Sequence, residues 1–292
     1  MHIKGFSLFD WGVNMGFIEI IKAIVYGIVE GITEWLPVSS TGHLILLNDI
    51  MPMNVSPEFW SVFMVVIQLG AIVAVVINLW DKIWPINTKV PDKPLVRLDV
   101  LNLWFKIIVA CIPAVIVGLL LDDWIDAHLY KPVVVAVMLI IVGIAFIVVE
   151  EKNKGLPPHV NTLRQLTIRD ALVIGLFQVV AALLPGTSRS GATIIGALLL
   201  GVSRTVAVEF TFCMSIPVMA GASLLKLVKY GMAFSGIEFL TLFISCMVAF
   251  LVSMACIKFI LNYIKTHDFK IFGYYRIILG AMVLIYFFLL KK

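Results

Sequence analysis

The chain has 292 residues, 61% hydrophobic and 14% charged, with a formal net charge of +4 and a mean hydropathy of +1.06. A soluble domain carries roughly 45–50% apolar and about 25% charged residues, and a soluble core of this size cannot hide such an excess of apolar surface, so the solvent is lipid. This excludes a cytosolic enzyme, a nucleic-acid binder and a secreted disulfide scaffold; Cys111, Cys213, Cys246 and Cys256 lie scattered in apolar runs and read as small buried hydrophobes.

Residues 1–16 read as an N-terminal extension, polar and aromatic, with no small-residue cleavage site after the apolar run that follows. Residues 17–50 form a broken apolar stretch. Its first arm ends in Glu30, Glu34 and Pro37, and Ser39-Ser40-Thr41-Gly42-His43 precede a short second arm. Spans are expected at 59–80, 103–121 and 133–149, since a helix of about 20 apolar residues crosses the bilayer. Residues 151–170 read as a cytoplasmic linker. Residues 171–202 repeat the broken pattern around Pro185-Gly186-Thr187-Ser188-Arg189-Ser190-Gly191. Further spans are expected at 206–227, 237–257 and 277–290. Each broken segment has arms too short to cross, and Pro and Gly between them free backbone groups. In lipid such backbone survives only inside protein or beside a polar cavity. Both therefore read as re-entrant helix hairpins; one bent spanning helix in each place is the simpler alternative.

The two broken segments also resemble each other. Gly27-Ile28-Val29-Glu30 and Leu36-Pro37-Val38-Ser39-Ser40 align with Gly175-Leu176-Phe177-Gln178 and Leu184-Pro185-Gly186-Thr187-Ser188. Each half (17–150 and 171–292) is then one hairpin plus three spans. An odd number of spans makes the fold an all-α polytopic membrane protein with an inverted-topology repeat. Lys82, Lys89, Lys93, Arg97, Lys106, Lys152, Lys154, Arg164, Arg169, Lys258, Lys265, Lys270 and Arg276 gather in three loops, which the positive-inside rule places in the cytoplasm. Asp122, Asp123 and Asp126 fall on the opposite side. Lys291-Lys292 fall there too, a mild conflict.

Ionisable groups at membrane depth are functional candidates. Glu30 and Glu34, at i and i+4, share a helix face. Two buried like charges require a proton or a cation, and a hard divalent ion such as Mg²⁺ or Ca²⁺ suits the oxygen donors; hydrogen bonding to nearby loop backbone is the alternative. Ser39, Ser40 and Thr41 open a short helix, where they cap it or help bind an anion. His43 follows within a turn, placed to take a proton from a Ser or Thr hydroxyl or to hydrogen-bond a phosphate, with a purely structural role as the alternative. In the second turn Arg189 suits a phosphate, with Thr187, Ser188, Ser190 and the flanking glycines as donors and space; pairing with Glu30 or Glu34 is its alternative. Arg204 and Glu209 read as a structural pair or support. The sum is a phosphate cradle inside a membrane, hence a phosphorylated lipid as substrate.

Residues 29–44, Val-Glu-Gly-Ile-Thr-Glu-Trp-Leu-Pro-Val-Ser-Ser-Thr-Gly-His-Leu, resemble the first signature of the undecaprenyl-diphosphate phosphatases of the bacitracin-resistance type. Residues 184–193, Leu-Pro-Gly-Thr-Ser-Arg-Ser-Gly-Ala-Thr, resemble the second; Val66-Ile67-Gln68-Leu69-Gly70 and Gly201-Val202-Ser203-Arg204 also match, while Trp35 and Thr187 depart from the usual pattern. The resemblance implies hydrolysis of undecaprenyl diphosphate to undecaprenyl phosphate and phosphate in the bacterial cytoplasmic membrane. That reaction recycles the lipid carrier for cell-wall synthesis and confers bacitracin resistance. It implies a divalent cation, a site opening to the extracytoplasmic side, and catalytic roles for Glu30, Glu34, Ser40, His43 and Arg189. Ser39, Thr41, Gly42, Thr187, Ser188, Ser190 and Gly191 would line the phosphate site, with Glu30 and Glu34 as metal ligands. Undecaprenyl diphosphate and membrane lipid are the expected partners, nucleic acid is not, and a homodimer stays open. A lipid-phosphate transporter or flippase is the competing class; a passive channel would need a ring of similar pore-lining groups.

Overall fold

The computed structural model describes residues 8–87, 94–129, 131–231 and 234–290. The described chain is helical: α1 (Leu8–Thr33), α2 (Ser40–Ile50), α3 (Pro57–Val66), α4 (Gln68–Asn78), α5 (Trp80–Ile83), α6 (Leu98–His128), α7 (Pro132–Lys152), α8 (Ile168–Leu183), α9 (Arg189–Leu199), α10 (Arg204–Tyr230), α11 (Gly236–Tyr263) and α12 (Lys270–Ile285), closed by a π-helical turn at Tyr286–Leu290. Among the described residues, six segments are long and apolar enough to cross a membrane: Pro57–Asn78, Leu98–Leu121, Pro132–Lys152, Arg204–Tyr230, Gly236–Tyr263 and Lys270–Phe288. They fall on the six expected spans.

Apolar residues point outward in stripes at helical spacing, as lipid demands. On α1 the stripe is Phe17, Ile21, Ile24, Ile28 and Ile32; on α6 it is Phe105, Ile108, Ile112, Ile116 and Leu119. Buried polar residues face inward instead, reversing the pattern of a soluble protein.

Contacts at the helix ends define two faces. At one, Asn54 donates its backbone N–H to Glu19, Lys22 bonds the Pro52 carbonyl and Tyr26 bonds the Met51 carbonyl. The middle of α1, from Glu19 to Tyr26, therefore lies beside the end of α2, and Phe59 packs there against Tyr230 and Phe234. At the other, Arg164 pairs with Asp99, Arg204 with Glu150 and Lys270 with Glu151. The His159 N–H bonds the Gly201 carbonyl and Asn153 the Leu198 carbonyl, so the end of α9 lies beside the end of α7 and the segment that leads to α8.

The halves are packed through each other. α1 lies on α11 and α8 lies on α6. Gly27 and Gly175, aligned in the sequence repeat, make equivalent approaches: a Cβ on Gly27 would stand 2.7 Å from the Ser245 carbonyl oxygen, and one on Gly175 2.1 Å from that of Ala110. Small residues let membrane helices touch backbone to backbone. Gly175→Ala is therefore expected to destabilise the protein by about 1–3 kcal/mol through overpacking, whereas Gly118→Ala, with open space around it, does not. Thermal unfolding in detergent separates the two, and equal midpoints would contradict the close packing.

Several charges and boundaries differ from expectation. α1 begins at Leu8, upstream of residue 17, and has 26 residues rather than a short arm; the helix is continuous into the expected extension, of which residues 1–7 lie outside the described residues. Lys89, Lys93 and Lys291-Lys292 also lie outside them. Lys106 is not a loop residue but sits on α6, buried, bonding the Arg164 carbonyl. Arg276 is likewise inside α12 and fully buried, because that helix starts seven residues before the expected 277. Arg204 and Glu209 do not pair with each other: Arg204 takes Glu150, and Glu209 takes Lys82 at 2.5 Å. The first span is interrupted at Ile67, between α3 and α4, and α10 carries Pro217. Beside these points Cys246 and Cys111 donate to the Val66 and Met214 carbonyls at 3.5 and 3.8 Å.

Candidate active site

The two breaks in the helices are built alike. Ser39 and Ser188 both adopt a left-handed backbone, with φ of 75° and 69°, at a cost of about 1–3 kcal/mol each for a non-glycine residue. Each then caps the helix that follows: Ser39 Oγ accepts from Gly42 N–H and Ser188 Oγ from Gly191 N–H. The starts of α2 and α9 are thereby both aimed at one cavity of about 150 Å³, lined by Glu34, Ser40 and Thr41 from the first turn and by Pro185, Gly186, Ser188 and Arg189 from the second. A single water needs roughly 10–15 Å³, so the space admits a larger hydrated or anionic group.

Glu34 joins the two turns. Its Oε2 accepts from Ser40 Oγ at 2.5 Å and its Oε1 from Arg189 Nη2 at 2.8 Å. Ser190 Oγ donates to the Glu34 carbonyl at 3.4 Å and lies 3.1 Å from Ser188 Oγ. The carboxylate of the first turn, the hydroxyl beside it and the cation of the second form one buried chain. The alternative weighed for Arg189, pairing with Glu34, is the arrangement observed, and it brings the turns together.

Glu30, one turn before Glu34, is fully buried, and among the described residues both its oxygens lack a hydrogen-bond partner. So do Arg189 Nε and Nη1, Thr187 Oγ1 and both polar atoms of Gln178. An unpartnered buried polar atom costs about 1–3 kcal/mol, a cost that a polar group placed beside these atoms would offset. Where the first half has Glu30 and Glu34, the second has Gln178 and Ala182 at the same spacing. Ala181 and Ala182 line the cavity, and their short side chains leave the space that a second carboxylate would fill.

The His43 ring meets the Ser39 carbonyl and Tyr275 rather than the hydroxyls of Ser40 or Thr41. Its Nδ1 lies 2.7 Å from the Ser39 carbonyl and its Nε2 2.7 Å from Tyr275 Oη. A carbonyl only accepts, so Nδ1 carries the proton and Nε2 accepts from the tyrosine. Ser40 is bonded to Glu34 instead, because the left-handed turn at Ser39 carries the hydroxyl back over α1. Thr41 lines the cavity, and Gly42 and Gly191 supply the capped N–H groups.

Three contributors were not read as site residues from the sequence. Gln68, at the break between α3 and α4, lines the cavity. Tyr275 holds His43. Arg276 donates to the Pro37 carbonyl at 3.0 Å and to those of Gly186 and Thr187 at 2.8 Å. Gly273 and Gly280, small residues seven apart, were a sign that the packed helix begins well before residue 277.

Six helices long and apolar enough to cross a membrane, with a carboxylate, a hydroxyl and a guanidinium held together among them, define an all-α polytopic membrane protein. Residues 23–282 match the family described as Bacitracin resistance protein BacA. Relatives named undecaprenyl-diphosphatase include one from Enterococcus faecalis, 54% identical over 93% of this chain and 98% of its own. Another, from Desulfitobacterium hafniense, is 58% identical over 94% and 98%. One named undecaprenyl-diphosphatase 1, from Clostridium acetobutylicum, is 55% identical over 94% and 99%. The chain belongs to the BacA family.

Proposed function

We propose that the protein is an integral membrane phosphatase that hydrolyses undecaprenyl diphosphate to undecaprenyl phosphate and inorganic phosphate, recycling the lipid carrier for the cell wall. The observation that carries the reading is Glu34 bridging Ser40 Oγ and Arg189 beside a cavity faced by two helix starts. Arg189 and the free N–H groups at the starts of α2 and α9 bind the terminal phosphate. Glu34 accepts the proton as Ser40 Oγ, or a water in its place, attacks the terminal phosphorus. The bond from that phosphorus to the bridging oxygen breaks, and undecaprenyl phosphate leaves. With Ser40 as nucleophile, water then releases phosphate from the serine. His43 serves by holding the Ser39 carbonyl, and with it the strained turn, in place.

Glu30 and Glu34 would hold a divalent cation. The unpartnered oxygens of Glu30 fit one, since Arg189 already balances Glu34 and hard oxygen donors suit Mg²⁺ or Ca²⁺. Among the described residues no group of three or more His, Cys, Asp or Glu gathers around a metal position, so any further donors would have to come from other groups. When bound, such a cation neutralises charge on the phosphate oxygens.

The contacts at the two faces support an inverted repeat: 17–50 enters from and returns to the extracytoplasmic side, and 171–202 does so from the cytoplasm, where the basic loops lie. The site then opens outward. Broken helices meeting in this way are also the architecture of secondary transporters, so a flippase is the second reading. Phosphate release by pure protein in detergent, without a gradient, is expected for the phosphatase, and its absence would favour transport. Chelator is expected to lower turnover strongly, with recovery on adding Mg²⁺ or Ca²⁺; unchanged turnover would remove the cation.

A further inference from the structure

We propose that Arg276 is a positioning residue for phosphoryl transfer: one buried guanidinium gathers the main-chain carbonyls of both broken turns and so fixes Glu34 and Ser40 against Arg189. The inference rests on the hydrolytic reading above.

Arg276 is 0% exposed in the apolar interior of α12. Among the described residues its hydrogen bonds go to neutral carbonyls: Nη1 to Pro37, Nη2 to Gly186 and Thr187, and Nε, at a long 3.5 Å, to Leu139 of α7. Pro37 belongs to the turn after α1, and Gly186 and Thr187 to the turn after α8. A cation is favoured where helices end and carbonyls lack partners. Each turn thus sends carbonyls back to Arg276 and presents the amides of the next helix to the cavity. The second turn is shaped to this fit: a Cβ on Gly191 would lie 3.3 Å from Arg276 Nη1, and Gly186 has φ of +90°.

Burying a charge is costly, and where packing alone is needed an apolar side chain does as well or better. Arg276 instead ties together two segments 150 residues apart, at the places that carry the reacting groups. Its planar fork matters for this, because lysine offers one compact ammonium and cannot hold the same set of carbonyls in fixed directions.

The test is phosphate release from undecaprenyl diphosphate by wild type, Arg276→Lys, Arg276→Gln, Arg189→Ala and the Arg276→Lys/Arg189→Ala double variant, with thermal unfolding measured on each. Arg276→Lys is expected to unfold near the wild-type temperature, with KM little changed and kcat down about 100-fold, the penalty of misplacing reacting groups by about 1 Å. Adding Arg189→Ala to it is expected to cost far less than Arg189→Ala alone, since the displaced arginine no longer serves. Wild-type kcat in Arg276→Lys overturns the proposal even if Arg276→Gln cannot fold, and so do additive losses or a lysine variant that does not fold, each of which assigns Arg276 to stability. Wild type without hydrolysis removes the phosphatase reading together with this one, whereas active wild type with an equally active lysine variant removes the positioning role alone.

Discussion

Glu34→Gln is expected to reduce phosphate release about 10³-fold, within the roughly 10²–10⁴-fold that a positioned general base contributes. The amide keeps the size of the side chain, and its oxygen can still accept one of the two bonds that Glu34 now takes from Ser40 and Arg189. What it loses is the ability to take the proton of the attacking hydroxyl, and the charge that holds the guanidinium of the second turn. The loss should therefore appear chiefly in kcat. Turnover near wild type in the folded variant would show that Ser40 is not activated through Glu34.

Arg189→Ala is expected to be damaging twice over. It removes the cation aimed at the terminal phosphate, and loss of one preorganised stabilising group of this kind costs about 10²–10³-fold in rate. It also leaves the Glu34 carboxylate, 7% exposed, without its counter-charge, and breaking a buried ion pair from one side costs about 3–5 kcal/mol. The variant should unfold at a markedly lower temperature as well as turning over slowly. Arg189→Lys should recover part of the stability and little of the rate, because an ammonium lacks the two-pronged fork. Normal turnover and substrate affinity in Arg189→Ala would dismiss the phosphate clamp.

Much of this was legible in the amino-acid sequence, for identifiable reasons. The bilayer imposes one length and one polarity on a crossing helix, so the six spans can be read from apolar runs. The placing of Glu30 and Glu34 on one face followed from their spacing of four, while the joining of the first turn to the second through Arg189 stood only as the alternative to phosphate binding. What could not be read was the partner of each polar group. His43 and Ser40 are neighbours in sequence, yet the left-handed residue at Ser39 sends one side chain to Tyr275 and the other to Glu34. Arg204 and Glu209 lie close along the chain, but their partners, Glu150 and Lys82, come from other helices. Arg276 was counted among loop charges because its helix reaches further into polar sequence than apolar length suggests. Hydropathy marks where a helix is comfortable in lipid and not where its backbone stops.

The bonds that close the centre span very different stretches of chain: 155 residues separate Glu34 from Arg189, and 239 separate Pro37 from Arg276. A ribosome adds roughly 5–20 residues per second, so Glu34 reaches the membrane on the order of ten seconds before the guanidinium that balances it, and longer before the one that braces its turn. Throughout that interval the nascent chain carries carboxylates it cannot yet satisfy. Assembly of the centre is thus completed only in the final stage of synthesis, and a chain halted just ahead of Tyr275 would hold both turns, joined through Glu34 and Arg189, without the guanidinium that braces their carbonyls.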